Sequence, residues 1–154
     1  MTDFIRGSSS VFRMEAHACF KAKYCHNVFD IAEFRERCRE LLLEAAAKVG
    51  VEVKVMGFDR NHVHMDICWL RITLSMDQIA KAMKGLSGRK LLAEFPAIKR
   101  ECFWGSGLWS GAIYCDSIGK EAEPMRKYIR NQGKQNKKYE VSLERFFHSN
   151  TASL

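Results

Sequence analysis

His62 and His64 flank Val63 at the start of an apolar segment that runs to Trp69. If the segment is a strand, both imidazoles project from one face, because successive side chains point to opposite sides. Val63, Met65, Ile67 and Trp69 then form the face that packs. Two imidazoles on neighbouring positions of an open face are close enough to share a metal ion. Other two- and three-histidine chemistries fail on spacing. A histidine-triad nucleotide hydrolase needs a third His at position 66, which is Asp66, and a two-histidine phosphoesterase needs two separate H-x-[ST] units, which the chain lacks.

Tyr128 and Gln132 are spaced to share one face of a helix. A tyrosine can attack phosphorus, and an amide carbonyl oxygen can serve as a ligand for a hard cation. The surrounding charge suits a phosphate substrate. Between Arg126 and Lys138 stand Arg126, Lys127, Arg130, Lys134, Lys137 and Lys138 with no acid, and a second basic run from Lys81 to Arg100 includes Lys84, Arg89 and Lys90 against Glu94 alone. Such runs draw a phosphate backbone. Trp104, Trp109 and Tyr114 could stack on bases, although core packing accounts for the tryptophans equally well.

These residues need a scaffold, and the hydrophobic periods supply one. His17 to Lys23 reads as a strand, with Ala16, Ala18, Phe20 and Ala22 on one face. Asp30 with Glu33 resembles a capping box for a helix whose stripe is Ile31, Phe34, Cys38, Leu41, Leu42, Ala45 and Val49, stopped by Gly50. Val51, Val53 and Val55 alternate as a second strand; Phe58 to Asn61 turns into the third, His62 to Trp69. Ser75 with Gln78 opens a second helix that continues through Leu91, Leu92 and Phe95 to Pro96. A Gly-rich aromatic loop, Phe103 to Gly111, leads to a fourth strand at Ala112 to Ser117, and Pro124 starts a last helix through Tyr128 and Gln132. The predicted class is α+β: a ferredoxin-like (RRM-like) β-α-β-β-α-β antiparallel sheet with helices on one face, plus the C-terminal tyrosine helix. The polar half of each strand falls on the uncovered face.

The 154 residues amount to one domain, with 1–10 and 150–154 expected to be flexible. A composition of 47% hydrophobic and 28% charged residues excludes wholesale disorder, and the net charge of +7 favours polyanionic partners. No apolar run approaches the roughly 18 residues that cross a bilayer, and no signal peptide opens the chain. The expectation is therefore a cytoplasmic protein with no membrane partner. Its six cysteines, none in a C-x-x-C pair, are expected to be free thiols, and that spacing excludes a zinc ribbon.

Taken in order, several spaced motifs resemble the TnpA-type insertion-sequence transposases of the HUH single-tyrosine superfamily. The resemblance runs from about His17 to Gln132. It includes Lys23-Tyr24, His62-Val63-His64, Lys84-Gly85 before Ser87-Gly88-Arg89, and Glu94-Phe95-Pro96. It continues through Leu108-Trp109-Ser110, Ser117-Ile118-Gly119 and the Y-I-x-N-Q run from Tyr128 to Gln132. Two departures stand out: Asn61 precedes the triplet where the family usually has Asp, and the hinge has one glycine, Gly119, before Lys120. Asn131-Gln132 argues against the palindrome-associated branch, which tends to carry Asn-Pro after the tyrosine.

The resemblance implies a metal-assisted DNA transposase that cleaves and rejoins single-stranded DNA at insertion-sequence ends. Tyr128 would attack phosphorus to form a 5′-phosphotyrosine, and His62, His64 and Gln132 would hold one divalent cation, Mg²⁺ or Mn²⁺. Arg126, Lys127, Arg130, Lys84, Arg89 and Lys90 would contact the nucleic acid. The implied partners are single-stranded DNA with hairpins at the element ends and a second copy of the chain, in a homodimer whose active sites are shared. Alternative readings are a replication-initiator-type HUH nuclease, a domesticated transposase and a non-catalytic single-strand-binding module. The first is normally a larger chain. The last would show aromatic-rich segments on its central strands, where this chain has His62, His64 and Asp66.

Overall fold

In the computed structural model, residues 5–6 and 11–118 are described. Among these residues six strands and three α-helices follow one another: β1 (Ile5–Arg6), β2 (Val11–Phe12), β3 (Met14–Lys21), α1 (Ala32–Lys48), β4 (Val51–Phe58), β5 (His62–Trp69), α2 (Met76–Glu94), α3 (Pro96–Cys102) and β6 (Tyr114–Ser117). The main sheet has the order β4-β5-β3-β6, and every pairing in it is antiparallel. With α1 and α2 following its first and third strands, this is the predicted split β-α-β-β-α-β arrangement. Among the described residues no helix is long and apolar enough to cross a membrane.

The alternation in β3 and β5 sorts the side chains. Ala16, Ala18, Phe20, Val63, Met65, Ile67 and Trp69 join the core beneath the helices. From α1 that core receives Phe34, Cys38, Leu41, Leu42, Ala45 and Ala46, and from α2 Ile79, Ala80, Met83, Leu91 and Leu92. Each large apolar side chain so buried contributes about 1.5–3 kcal/mol from removal of its surface from water. An aromatic cluster thickens the core at one end. Phe29 meets Phe58 edge-on at 4.9 Å between ring centroids, and Trp109 lies 5.8 Å from both Phe20 and Phe29.

Several boundaries differ from expectation for identifiable reasons. The first sheet strand is Met14–Lys21 rather than His17 to Lys23, because Lys23–Cys25 coils into a short 3₁₀ turn with Tyr24 and Cys25 at φ 61° and 56°. Asp30 does not cap α1. Ile31 occupies the N-cap without a side-chain hydrogen bond, while the Asp30 carboxylate accepts from the Arg60 guanidinium at 2.9–3.3 Å. A local capping signal has lost to a partner thirty residues away. Gly50, at φ +76°, does end α1 in the left-handed conformation that favours glycine.

The Ser75 capping box forms as expected, with Ser75 Oγ accepting from the Gln78 amide and the Ser75 amide donating to Gln78 Oε1. α2 stops at Glu94, and Pro96 begins the separate α3 in the first-turn position where its missing N–H costs nothing. β4 runs on to Phe58, with a bulge between Val53 and Val55, and β6 starts only at Tyr114. Within the segment expected to be flexible at the start of the chain, Ile5–Arg6 pairs with Val11–Phe12.

Candidate metal and nucleic-acid site

Strand β5 places both imidazoles on the face away from α1 and α2. The rings of His62 and His64 lie 4.7 Å apart, centroid to centroid, with their planes at 84°. Val63, between them, has no exposed surface and points into the core against the aromatic end. The histidine pair therefore stands on a rigid, well-packed support, as a site with fixed geometry requires.

Register defines their neighbours, since residues directly opposite share a face. His64 faces Cys19 on β3, which in turn faces Tyr114 on β6; Gly57 lies opposite His64 on β4. His62 faces Lys21, and Asp66 faces His17, which faces Asp116. This face is less open than expected: His64 is 5% exposed, His17 7% and Asp66 0%, whereas His62 is half-buried. The polar half of the strands crowds together there, and each ring screens the next from water.

That crowding sets the electrostatics. Burial, with the nearby His62 and His17 adding to it, drives the His64 pKa from 6.5 down to about 3, so the imidazole is neutral at ordinary pH. His62 Nδ1–H donates to Oδ1 of Asn61 at 2.7 Å, which makes Nε2 the nitrogen with the coordinating lone pair. Asn61 thus supplies an acceptor where the family usually has Asp. Burial also pushes the Cys19 thiol up to about 12, with Lys21 and Lys84 pulling the other way. Cys19 Sγ lies 4.0 Å from His64 Nε2 but remains a protonated thiol.

The donor chemistry fits one divalent cation in part. Two imidazoles are apt ligands, and a protonated thiol beside them does not turn the site into a soft thiolate one. Among the described residues no set of three His, Cys, Asp or Glu side chains could complete a metal shell. A bound cation would have to draw any further donor from outside this set. Gln132, Tyr128, Arg126, Lys127 and Arg130 all lie outside the described residues, as does Gly119.

The second basic run is visible and divides by partner. Lys84 Nζ donates to the carbonyls of Ser110 and Ala112 at 2.8 and 2.7 Å, tying α2 to the Gly-rich loop, and lies over the Phe20 ring. Lys90 pairs with Glu44 of α1 at 2.9 Å. Arg89 instead lines a cavity of about 620 Å³ between α2 and that loop. The tryptophans also separate. Trp109 is buried and donates from Nε1 to Ser87 Oγ at 3.0 Å, while Trp104 is 84% exposed. The sequence did not reveal Cys19 as a neighbour of His64, nor the role of Asn61. Both follow from cross-strand register and turn geometry.

Comparison with known proteins agrees with this architecture. The chain is similar to the ISDra2 transposase TnpA of Deinococcus radiodurans, at 28% identity over 128 residues, covering 82% of this chain and 89% of that protein. A crystal structure described as a transposase from the same organism superposes with a TM-score of 0.67 at 25% identity, over 83% of this chain and 97% of that one. The fold is also that of a REP-associated tyrosine transposase bound to a REP hairpin, with a TM-score of 0.55 at 8% identity, over 81% and 70% of the two chains. The family model described as "Transposase IS200 like" matches residues 10–132. With four-fifths of its length accounted for by that match, this chain belongs to the IS200-like transposases, the TnpA-type HUH enzymes of insertion-sequence DNA transposition.

Proposed function

We propose that the protein cleaves and rejoins single-stranded DNA at the ends of an insertion sequence, with Tyr128 as nucleophile. The observation that carries this reading is the His62–His64 pair: two imidazoles 4.7 Å apart on one face, His64 held neutral by burial and the tautomer of His62 set by Asn61. His62, His64 and Gln132 would hold one Mg²⁺ or Mn²⁺. That ion would polarise a scissile phosphoryl oxygen. The Tyr128 phenol loses its proton, its oxygen attacks phosphorus, and the 3′-oxygen leaves and takes up a proton. The DNA 5′ end is then joined to the tyrosine. Because the phosphodiester is exchanged rather than hydrolysed, rejoining to another 3′-hydroxyl needs no ATP.

The basic residues around Tyr128, namely Arg126, Lys127 and Arg130, would position the backbone, and hairpins at the element ends would supply recognition. The REP-hairpin-bound relative of the same fold supports a hairpin substrate. The working unit would be a homodimer in which Tyr128 of one protomer serves the histidines of its partner. Labelled single-stranded hairpin DNA, incubated with the protein and Mn²⁺ and run on a denaturing gel, tests the chemistry. The expected result is a covalent adduct with the wild type and none with Tyr128→Phe, which should still bind the hairpin. An adduct that persists in the Phe variant would overturn the assignment.

A further inference from the structure

We infer that the cavity between α2 and the Gly-rich loop is a second DNA subsite, which holds phosphates of the single strand flanking the cleaved bond. This inference rests on the proposed single-strand chemistry and adds to it a place on the protein. The cavity, about 620 Å³, is lined by the cations Lys81, Lys84, Arg89 and Lys99 against one acid, Asp77. Its volume is that of a small-molecule site, enough for a nucleotide and too small for a duplex.

Many of the surface cations away from this cavity are matched by acids. Arg37 bridges Glu40 and Glu94, Arg60 binds Asp30, Lys90 and Lys48 share Glu44, and Lys54 meets Glu52. Within the cavity Lys81 is matched to Asp77 and Lys84 is held by loop carbonyls. Arg89 and Lys99 line the cavity and have no acid partner among the described residues, so no neighbouring carboxylate offsets their charge there. Unmatched cations beside an open concavity raise the local concentration of a polyanion.

The loop also connects this cavity to the histidine pair. The Ser110 amide donates to the Lys21 carbonyl, and the Lys23 amide to the Leu108 carbonyl, each at 2.8 Å. Lys21 is directly opposite His62. The loop that forms one wall of the cavity is therefore fastened to the same end of the sheet as the candidate metal ligands. Gly85 keeps the other wall low: a Cβ there would meet nothing within 4 Å, so a larger side chain would project into open space.

The test is fluorescence anisotropy with the full chain and a short, hairpin-free oligothymidylate in EDTA, where no cleavage occurs. Arg89→Ala with Lys99→Ala should weaken binding about tenfold and flatten the log–log salt dependence by about 1.4, the value for two phosphate contacts on a single strand. Lys48→Ala with Lys54→Ala, which removes the same charge elsewhere, should do neither. Gly85→Gln, charge-neutral and compatible with a helix, should also weaken binding by filling the cavity. Thermal melting verifies that each variant is folded. If the Arg89 and Lys99 double variant matches the Lys48 and Lys54 control, or Gly85→Gln binds like wild type, the inference is overturned. Adduct formation by wild type in Mn²⁺ is measured in parallel. A normal adduct with unaltered binding sinks the subsite alone; weakened binding with no wild-type adduct sinks the cleavage reading and with it the assignment of the cavity to the strand flanking a cleaved bond.

Discussion

Cys19 Sγ lies 4.0 Å from Nε2 of His64, the two residues sitting directly opposite each other on β3 and β5. The contact pairs two groups that burial keeps uncharged, a thiol raised to about 12 and an imidazole lowered to about 3. Little of either side chain meets solvent on that side of the histidine pair, and a cation arriving there would meet a neutral ligand.

The lowered His64 pKa makes stability acid-sensitive. Between pH 6.5 and about 3 the unfolded chain binds a proton at this residue and the native chain does not. Stability therefore rises with pH through that window. The contribution is complete above pH 6.5 and is lost on acidification by up to about 1.4 kcal/mol per pH unit. Urea unfolding of wild type and His64→Asn at several pH values checks this, with a flatter profile expected for the variant. Parallel profiles would contradict it.

The two loop tryptophans should separate in stability. Trp109 fills the aromatic end of the core and is anchored to Ser87, so Trp109→Ala should cost about 3–5 kcal/mol. Trp104 is 84% exposed, and Trp104→Ala should change stability by no more than about 0.5 kcal/mol. Urea midpoints of the two variants decide it.

Lys84→Met should loosen the Gly-rich loop while keeping an aliphatic chain over Phe20. The carbonyls of Ser110 and Ala112 lose their donor, at a cost of about 1–3 kcal/mol. Amide exchange at Ser110 and Lys23, which hold the loop to β3 and the turn beyond it, should quicken. Exchange as slow as in wild type would show that the lysine is not the tether.

If active sites are shared between protomers, mixing Tyr128→Phe with His64→Ala should restore adduct formation. Each mixed dimer would contain one site with an intact tyrosine and intact histidines, so about half of the wild-type sites per mixed dimer would be rebuilt. Adduct yield on denaturing gels measures the rescue. Stable mixed dimers with no adduct would count against sharing.

The shared face of the histidine pair was legible because its logic is local. A period of two residues is enough to put His62 and His64 on one face and Val63 on the other, whatever the rest of the chain does. The Ser75–Gln78 cap and the Gly50 stop are equally local, satisfied within one turn of chain. The same local reasoning misplaced Asp30, because Arg60 reaches it from a distant turn and competes with the helix end.

The amino-acid order by itself determined the strand and helix periods, the paired imidazoles and the family motifs, all of which depend on spacing along the chain. Tertiary structure alone decided that His64 is buried and neutral, that Cys19 is its neighbour, that Trp109 is core while Trp104 faces solvent, and that Lys84 and Lys90 are engaged while Arg89 and Lys99 are not. The reason is physical: burial, register and charge pairing are properties of contacts between segments far apart in sequence, and no periodicity within a single segment encodes its distant partner.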